Sequence, residues 1–219
     1  MKSKLFFVLC VVFSVVFMAC ATTGGSTSAS TSVGETIVCL GDSLTSGAGV
    51  TVAGKDDKSK AWPAFLQNKV NIPVINAGVD GNTTAQGLAR VKKDVLSKNP
   101  RIVIIVLGTN DYFQKVPLAR TKNNLQKIID MVNDGSRKIY LTSWYVNWDA
   151  QGWTAQVRNM FNTLASSNNI ELVYGVFNGV VGVYFGADKF HPSAEGHEII
   201  AEGIFGALKP YLEANNLLK

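Results

Sequence analysis

The sequence predicts one α/β domain built in three layers, with a five-stranded, mostly parallel sheet between two layers of helices. Five short runs rich in β-branched and aliphatic residues alternate with segments whose apolar residues recur at helical spacing. The middle run, Ile102-Val103-Ile104-Ile105-Val106-Leu107, is apolar without interruption, as a strand covered on both faces must be. A chain of 219 residues, 47% hydrophobic and 17% charged, supplies enough apolar side chains for one well-covered core, and no repeat or second block of elements is visible.

The strand runs are 36–40, 73–77, 102–107, 138–143 and 170–174. Between them, Leu88, Val91 and Val95 share one helix face, as do Leu125, Ile128, Ile129 and Val132. Val157, Phe161 and Leu164 mark a further helix, and Ile199, Ile200, Ile204, Phe205 and Leu208 mark the last. A shorter helix is expected at Trp62-Pro63, where Pro63 suits a first turn because its missing N–H has no partner there anyway. Strand–helix alternation implies right-handed crossovers.

Ahead of this body, Lys2 and Lys4 precede an apolar run from Leu5 to Met18, followed by the small Ala19 and then Cys20. A positive segment, an apolar segment and a small-residue boundary make residues 1–19 a secretory signal. A cysteine at that boundary resembles a bacterial lipoprotein signal, in which Cys20 becomes the lipidated first residue. An ordinary cleaved signal and a transmembrane anchor are the alternatives. Residues 20–35 are dominated by Ser, Thr, Gly and Ala and cannot bury apolar surface, so they read as a flexible tether, leaving 36–219 as the folded domain. The expected location is the cell envelope, with the lipid anchor as the contact to a membrane.

Of the 21 Lys and Arg, two lie in the leader, and the remaining 19 against 16 Asp and Glu leave a surplus of three. With no dense basic cluster, nothing suggests nucleic-acid binding. Cys10, Cys20 and Cys39 imply no disulfide framework, and Cys39 reads as a core residue.

Open α/β sheets bind ligands at the carboxyl ends of their strands. The first run leads into Gly41-Asp42-Ser43-Leu44, the second into Asn76-Ala77-Gly78, the third into Gly108-Thr109-Asn110-Asp111 and the fourth into Ser143-Trp144-Tyr145-Val146-Asn147-Trp148. Beyond the fifth comes Asp188-Lys189-Phe190-His191-Pro192. A serine needs a base to become a nucleophile, and past the leader only His191 and His197 are available. His191 precedes a proline, which holds it out of helical geometry in a loop, whereas His197 falls inside the last helix and reads as a helix-face residue. Asp188 can accept from the imidazole and fix its tautomer. Singly, Ser43, Asp188 and Asn110-Asp111 would each pass for turn formers or helix caps. Together they lie at strand ends on one expected rim. The N–H groups of Ser43 and Gly78 and the amide of Asn110 are candidate donors to a developing oxyanion. No metal-ligand spacing is present, so no metal site is expected.

Four of these segments, Gly41-Asp42-Ser43-Leu44, Asn76-Ala77-Gly78, Gly108-Thr109-Asn110-Asp111 and Asp188-Lys189-Phe190-His191-Pro192, resemble the blocks of the SGNH/GDSL hydrolases, over about Ile37 to Leu208 and in the same order. The resemblance implies a flavodoxin-like fold with sheet order 2-1-3-4-5. It makes Ser43 the nucleophile, His191 the base and Asp188 its partner, with Ser43, Gly78 and Asn110 as the oxyanion hole, and implies hydrolysis through an acyl-serine intermediate without a cofactor. The family includes lysophospholipases, thioesterases and carbohydrate deacetylases. For an exported protein the expected substrates are lysophospholipid or acyl- and acetyl-glycan esters, and Trp144, Tyr145 and Trp148 either line the substrate site or pack their loop onto the body. The competing expectation is a membrane-tethered binding protein that keeps this fold without turnover. Oligomeric state is not legible.

Overall fold

The continuously apolar run does lie at the centre of the sheet, and the other elements are arranged around it. The computed structural model describes residues 34–52, 55–143, 153–177, 180, 185–186, 188 and 190–219. The leader, Cys20, nearly all of the tether and the aromatic segment holding Trp144, Tyr145 and Trp148 lie outside the described residues. In chain order the elements are β1 (Ile37–Gly41), α1 (Ser43–Ser46), β2 (Thr51–Val52), β3 (Lys55–Asp56), α2 (Trp62–Gln67), β4 (Val74–Gly78), α3 (Thr84–Asp94), β5 (Ile102–Val106), α4 (Thr109–Phe113), α5 (Leu118–Val132), β6 (Lys138–Thr142), α6 (Trp153–Asn168), β7 (Glu171–Val173) and α7 (Ala194–Ala214).

The main sheet has the order β4-β1-β5-β6-β7, which is 2-1-3-4-5 counting its own strands, and every pairing is parallel. One helix layer holds α3, α5 and α6, packed side by side, and the other holds α2 against α7. All five residues of β5 are buried, as are all five of β1. Covering both faces of two adjacent strands removes large aliphatic side chains from water, each worth about 1.5–3 kcal/mol, which makes this pair the anchor of the core. The helical spacings read from sequence hold: Leu125, Ile128, Ile129 and Val132 are buried on α5, and Ile200, Ile204 and Leu208 on α7. Cys39 is buried on β1, and desolvation raises its thiol pKa.

One element was not expected. The β2–β3 ribbon has only two residues on each side, too few for an alternating pattern to register. The helices α1 and α4 are single turns directly after β1 and β5. Both stand where the candidate site residues are.

Candidate active site

Register brings three strand ends to one level. Gly41 pairs with Gly78 on one side and with Val106 on the other, so the chain leaves β1, β4 and β5 side by side. Ser43 is the first residue of α1, two positions past the end of β1, and is largely buried. Asp42 caps that turn, its Oδ1 accepting from the Leu44 N–H at 3.0 Å. Gly47 ends it in the left-handed region, with φ 91°. The Ser43 N–H makes no hydrogen bond among the described residues, as expected of the first residue of a helical turn.

The opposing side of the site is the Asp188–His191 pair. His191 Nδ1 lies 2.6 Å from Asp188 Oδ2, and Asp188 Oδ1 accepts from the N–H groups of Phe190 and His191, both at 2.9 Å. Desolvation pushes the Asp188 carboxyl up, but the His191 ring and these two N–H groups outweigh it and hold the carboxyl at about 2. An ionised carboxylate only accepts, so Nδ1 carries the proton and Nε2 presents its lone pair. Gly49 joins this pair to the serine turn. With φ 82°, it sits so close that a Cβ there would lie 2.7 Å from His191 Cβ and 3.2 Å from Asp188 Oδ2. Gly186, whose N–H donates to the His191 carbonyl at 2.7 Å, closes over Gly49 in the same way. Ser43 Oγ itself makes no hydrogen bond among the described residues; nucleophile–base bonds commonly tighten only around substrate.

Asn110 lies in α4, its Nδ2 donating to the Asn82 carbonyl at 3.1 Å and to Asp42 Oδ2 at 3.3 Å. It therefore bridges the serine turn and the loop after β4. Gly78 is different from what the sequence suggests. Its N–H already donates to Asn76 Oδ1 at 2.9 Å, and a Cβ there would lie 2.2 Å from the Ser46 nitrogen. Glycine is required at 78 because α1 packs directly on β4, while its N–H is held separately by Asn76. Three residues on, Gly81 has φ 73°, open space where a Cβ would be, and an N–H without a hydrogen bond among the described residues. The Asp80-Gly81 step was the available sequence signal for that turn.

Other polar groups shape the site without having stood out in the sequence. Asp111 is buried and, rather than capping its own helix, accepts from the Thr84 N–H at 2.7 Å, the Thr84 hydroxyl at 2.5 Å and the Thr121 hydroxyl at 3.1 Å. One carboxylate thus ties α3, α4 and α5 together at the start of α3, where the helix dipole favours negative charge. His197 faces inward from α7, fully buried, its Nδ1 accepting from the Trp62 N–H at 3.3 Å. Desolvation, with the nearby His191, lowers its pKa to about 4, so it stays neutral at physiological pH. Two exposed rings run out from His191: Phe190 meets it edge-on at 5.0 Å, and Phe113 lies 5.3 Å from Phe190. Neither ring stands out by spacing alone, since the contact joins the end of α4 to the segment before α7.

The arrangement fits acyl-transfer chemistry: a largely buried serine just past a strand end, an imidazole whose Nδ1 faces a carboxylate, and candidate donors on α1, on α4 and in the loop after β4. Comparison with known proteins agrees. The chain belongs to the GDSL-like lipase/acylhydrolase family, whose model matches residues 39–199. Esterase TesA of Pseudomonas aeruginosa is 28% identical over 187 residues, covering 81% of this chain and 90% of that protein. The thioesterase 1/protease 1/lysophospholipase L1 of Escherichia coli is 35% identical over 100 residues, 45% of each chain. A crystal structure of TesA superposes with a TM-score of 0.72 at 27% identity, covering 80% of this chain and 98% of that one. The protein is therefore a serine ester hydrolase, and a binding module without turnover is set aside.

Asp42 carries a pH signature. Burial, with smaller contributions from Asp111 and Asp80, outweighs its backbone hydrogen bonds and raises its carboxyl from 3.8 to about 7. Between those values the folded chain holds a proton that the unfolded chain has released, so stability falls as pH rises through the window and levels off above it. Asp42→Asn, which keeps the shape and the capping oxygen, is expected to flatten that fall. Urea midpoints measured from about pH 4 to 8 check it; an unchanged slope counts against the raised value.

Proposed function

We propose that the protein hydrolyses carboxylic esters through an acyl-serine intermediate. Ser43 attacks the ester carbonyl, and His191 Nε2 takes its proton as the bond to carbon forms. The Asp188 carboxylate stabilises the resulting imidazolium through Nδ1. The tetrahedral oxyanion accepts from the Ser43 N–H, from the Gly81 N–H in place of the Gly78 N–H that Asn76 occupies, and from the Asn110 amide, which gives up its longer 3.3 Å bond to Asp42 Oδ2 to do so. His191 then returns its proton to the leaving alkoxide. Water, activated by the same imidazole, releases the acid and restores the serine hydroxyl. The observation that carries this reading is the 2.6 Å contact between His191 Nδ1 and an ionised Asp188, which leaves Nε2 as a base on the rim that holds Ser43.

Ser43→Ala is expected to abolish p-nitrophenyl ester hydrolysis and labelling by a fluorophosphonate probe. Asn110→Ala should lower kcat by about 10²–10³-fold while the protein still labels slowly. Equal hydrolysis by wild type and Ser43→Ala would remove the assignment.

The substrate is proposed to be an ester with an apolar substituent, a lysophospholipid in preference to an acetylated glycan. Phe113 and Phe190 support this, since exposed rings beside the base favour an apolar group over a hydrated sugar. The lysophospholipase name of the Escherichia coli relative points the same way. Trp144, Tyr145 and Trp148 are proposed to take part in substrate binding. A panel from acetyl to palmitoyl esters should show kcat/KM rising with chain length; a maximum at acetyl would favour glycan deacetylation.

Export and lipid anchoring through Cys20 are proposed from the leader, its small-residue boundary and the polar tether. Radioactive palmitate should label the wild type in a bacterial host and fail to label Cys20→Ala. An unlabelled wild type would leave an ordinary secreted protein.

A further inference from the structure

Arg90 lies on α3, outside the four sequence blocks that build the site, and its side chain is only 14% exposed. Its guanidinium divides its donors between two strand ends and the turn that joins one of them to α3. Nη2 donates to the Gly41 carbonyl at 2.6 Å, Nη1 to the Ala77 carbonyl at 2.7 Å and Nε to Asn82 Oδ1 at 2.8 Å. Nη1 also meets Asp94 Oδ2 at 3.1 Å. Gly41 leads directly into Asp42 and Ser43. Asn82 directly succeeds Gly81, and its own carbonyl holds the Asn110 amide at 3.1 Å. One planar group therefore bonds two residues before Ser43 and to the residue after Gly81, which is also the residue whose carbonyl holds the Asn110 amide.

We infer that Arg90 is a positioning residue that sets the geometry of the oxyanion hole, an inference that rests on the acyl-serine reading. Solvating strand-end carbonyls alone would need only water or a short polar side chain. Arginine is distinguished by rigidity: its donors are fixed in one plane, so the ends of β1 and β4 and the side chain of Asn82 are held in a single mutual geometry. A lysine at 90 would bring one charge on a flexible stem, able to reach one of these oxygens at a time. Donors aimed at a tetrahedral oxygen are sensitive to displacements well under the length of a bond, and such misplacement is felt in the transition state more than in substrate binding. The positive charge beside the turn also favours the negative charge that develops on the oxygen.

The test uses the purified full chain and compares Arg90→Lys with Asp94→Ala, which removes the ion pair and leaves the three site-directed bonds. Arg90→Lys is expected to lower kcat by about 10–100-fold with little change in KM. Affinity for an alkyl boronic acid, which becomes a tetrahedral anion on the serine, should fall in step with kcat/KM, while inhibition by the neutral product alcohol should not move. Asp94→Ala should keep the wild-type kcat. Wild-type kcat and boronate affinity in a cooperatively folded Arg90→Lys would overturn the inference. So would losses in both variants that merely track the folded fraction in urea unfolding. Where Arg90→Lys does not fold, Asn82→Ala cuts only the bond to the turn and is expected to show the same selective loss of kcat; an unchanged kcat there overturns the inference equally. Ser43→Ala separates the two levels. Activity retained in it removes the acyl-serine reading, whereas an inactive Ser43→Ala beside a fully active Arg90→Lys removes only the role of Arg90.

Discussion

The alignment of Gly41 with Gly78 and Val106 places the ends of three neighbouring strands at one height, and the site is assembled from the loops and short helices that leave them. A parallel sheet makes this possible, because all its strands deliver their carboxyl ends to the same edge. Register also has little freedom where both faces are buried: slipping β1 by one residue would exchange every side chain between the two helix layers. The apolar filling of β1 and β5 therefore controls where Asp42, which leads into Ser43 just past β1, meets an asparagine four residues past β5. Stability and site geometry rest on the same packing.

The carboxylates of the site separate by environment. Asp188, exposed and bonded to two N–H groups and an imidazole ring, stays ionised far below neutrality. Asp42, buried beside the serine, is lifted to about 7. Asp111 is buried among N–H and hydroxyl donors and works as a joint between three helices. Short blocks that look alike in sequence thus hold acids with different work: one steadies a base, one shapes the serine turn, one holds the scaffold. Burial and donor count decide which is which.

Glycine shows how a motif can be legible while its reason is not. Gly78 invites a reading as a backbone donor, yet its missing side chain serves the contact with the Ser46 backbone, and its N–H belongs to Asn76. Gly49, at the end of the small-residue stretch Ser46-Gly47-Ala48-Gly49, allows the serine loop to lie against His191 and Asp188. Both roles depend on a second segment distant in the chain, so neither leaves a local pattern. The same holds for Arg90 and for the Phe113–Phe190 contact.

The sequence by itself determined the fold class, the five strands to within a residue or two, the helix faces, and the blocks around Ser43, Asn110 and Asp188–His191. These are properties of period, turn chemistry and short spacing, all of which are local. Only the tertiary structure decided which backbone N–H groups are free, which carboxylates are ionised, that His197 points into the core, and that Arg90 reaches two strand ends at once. Those depend on what is brought near by folding, since desolvation and hydrogen-bond competition are set by neighbours in space and not by neighbours in the chain.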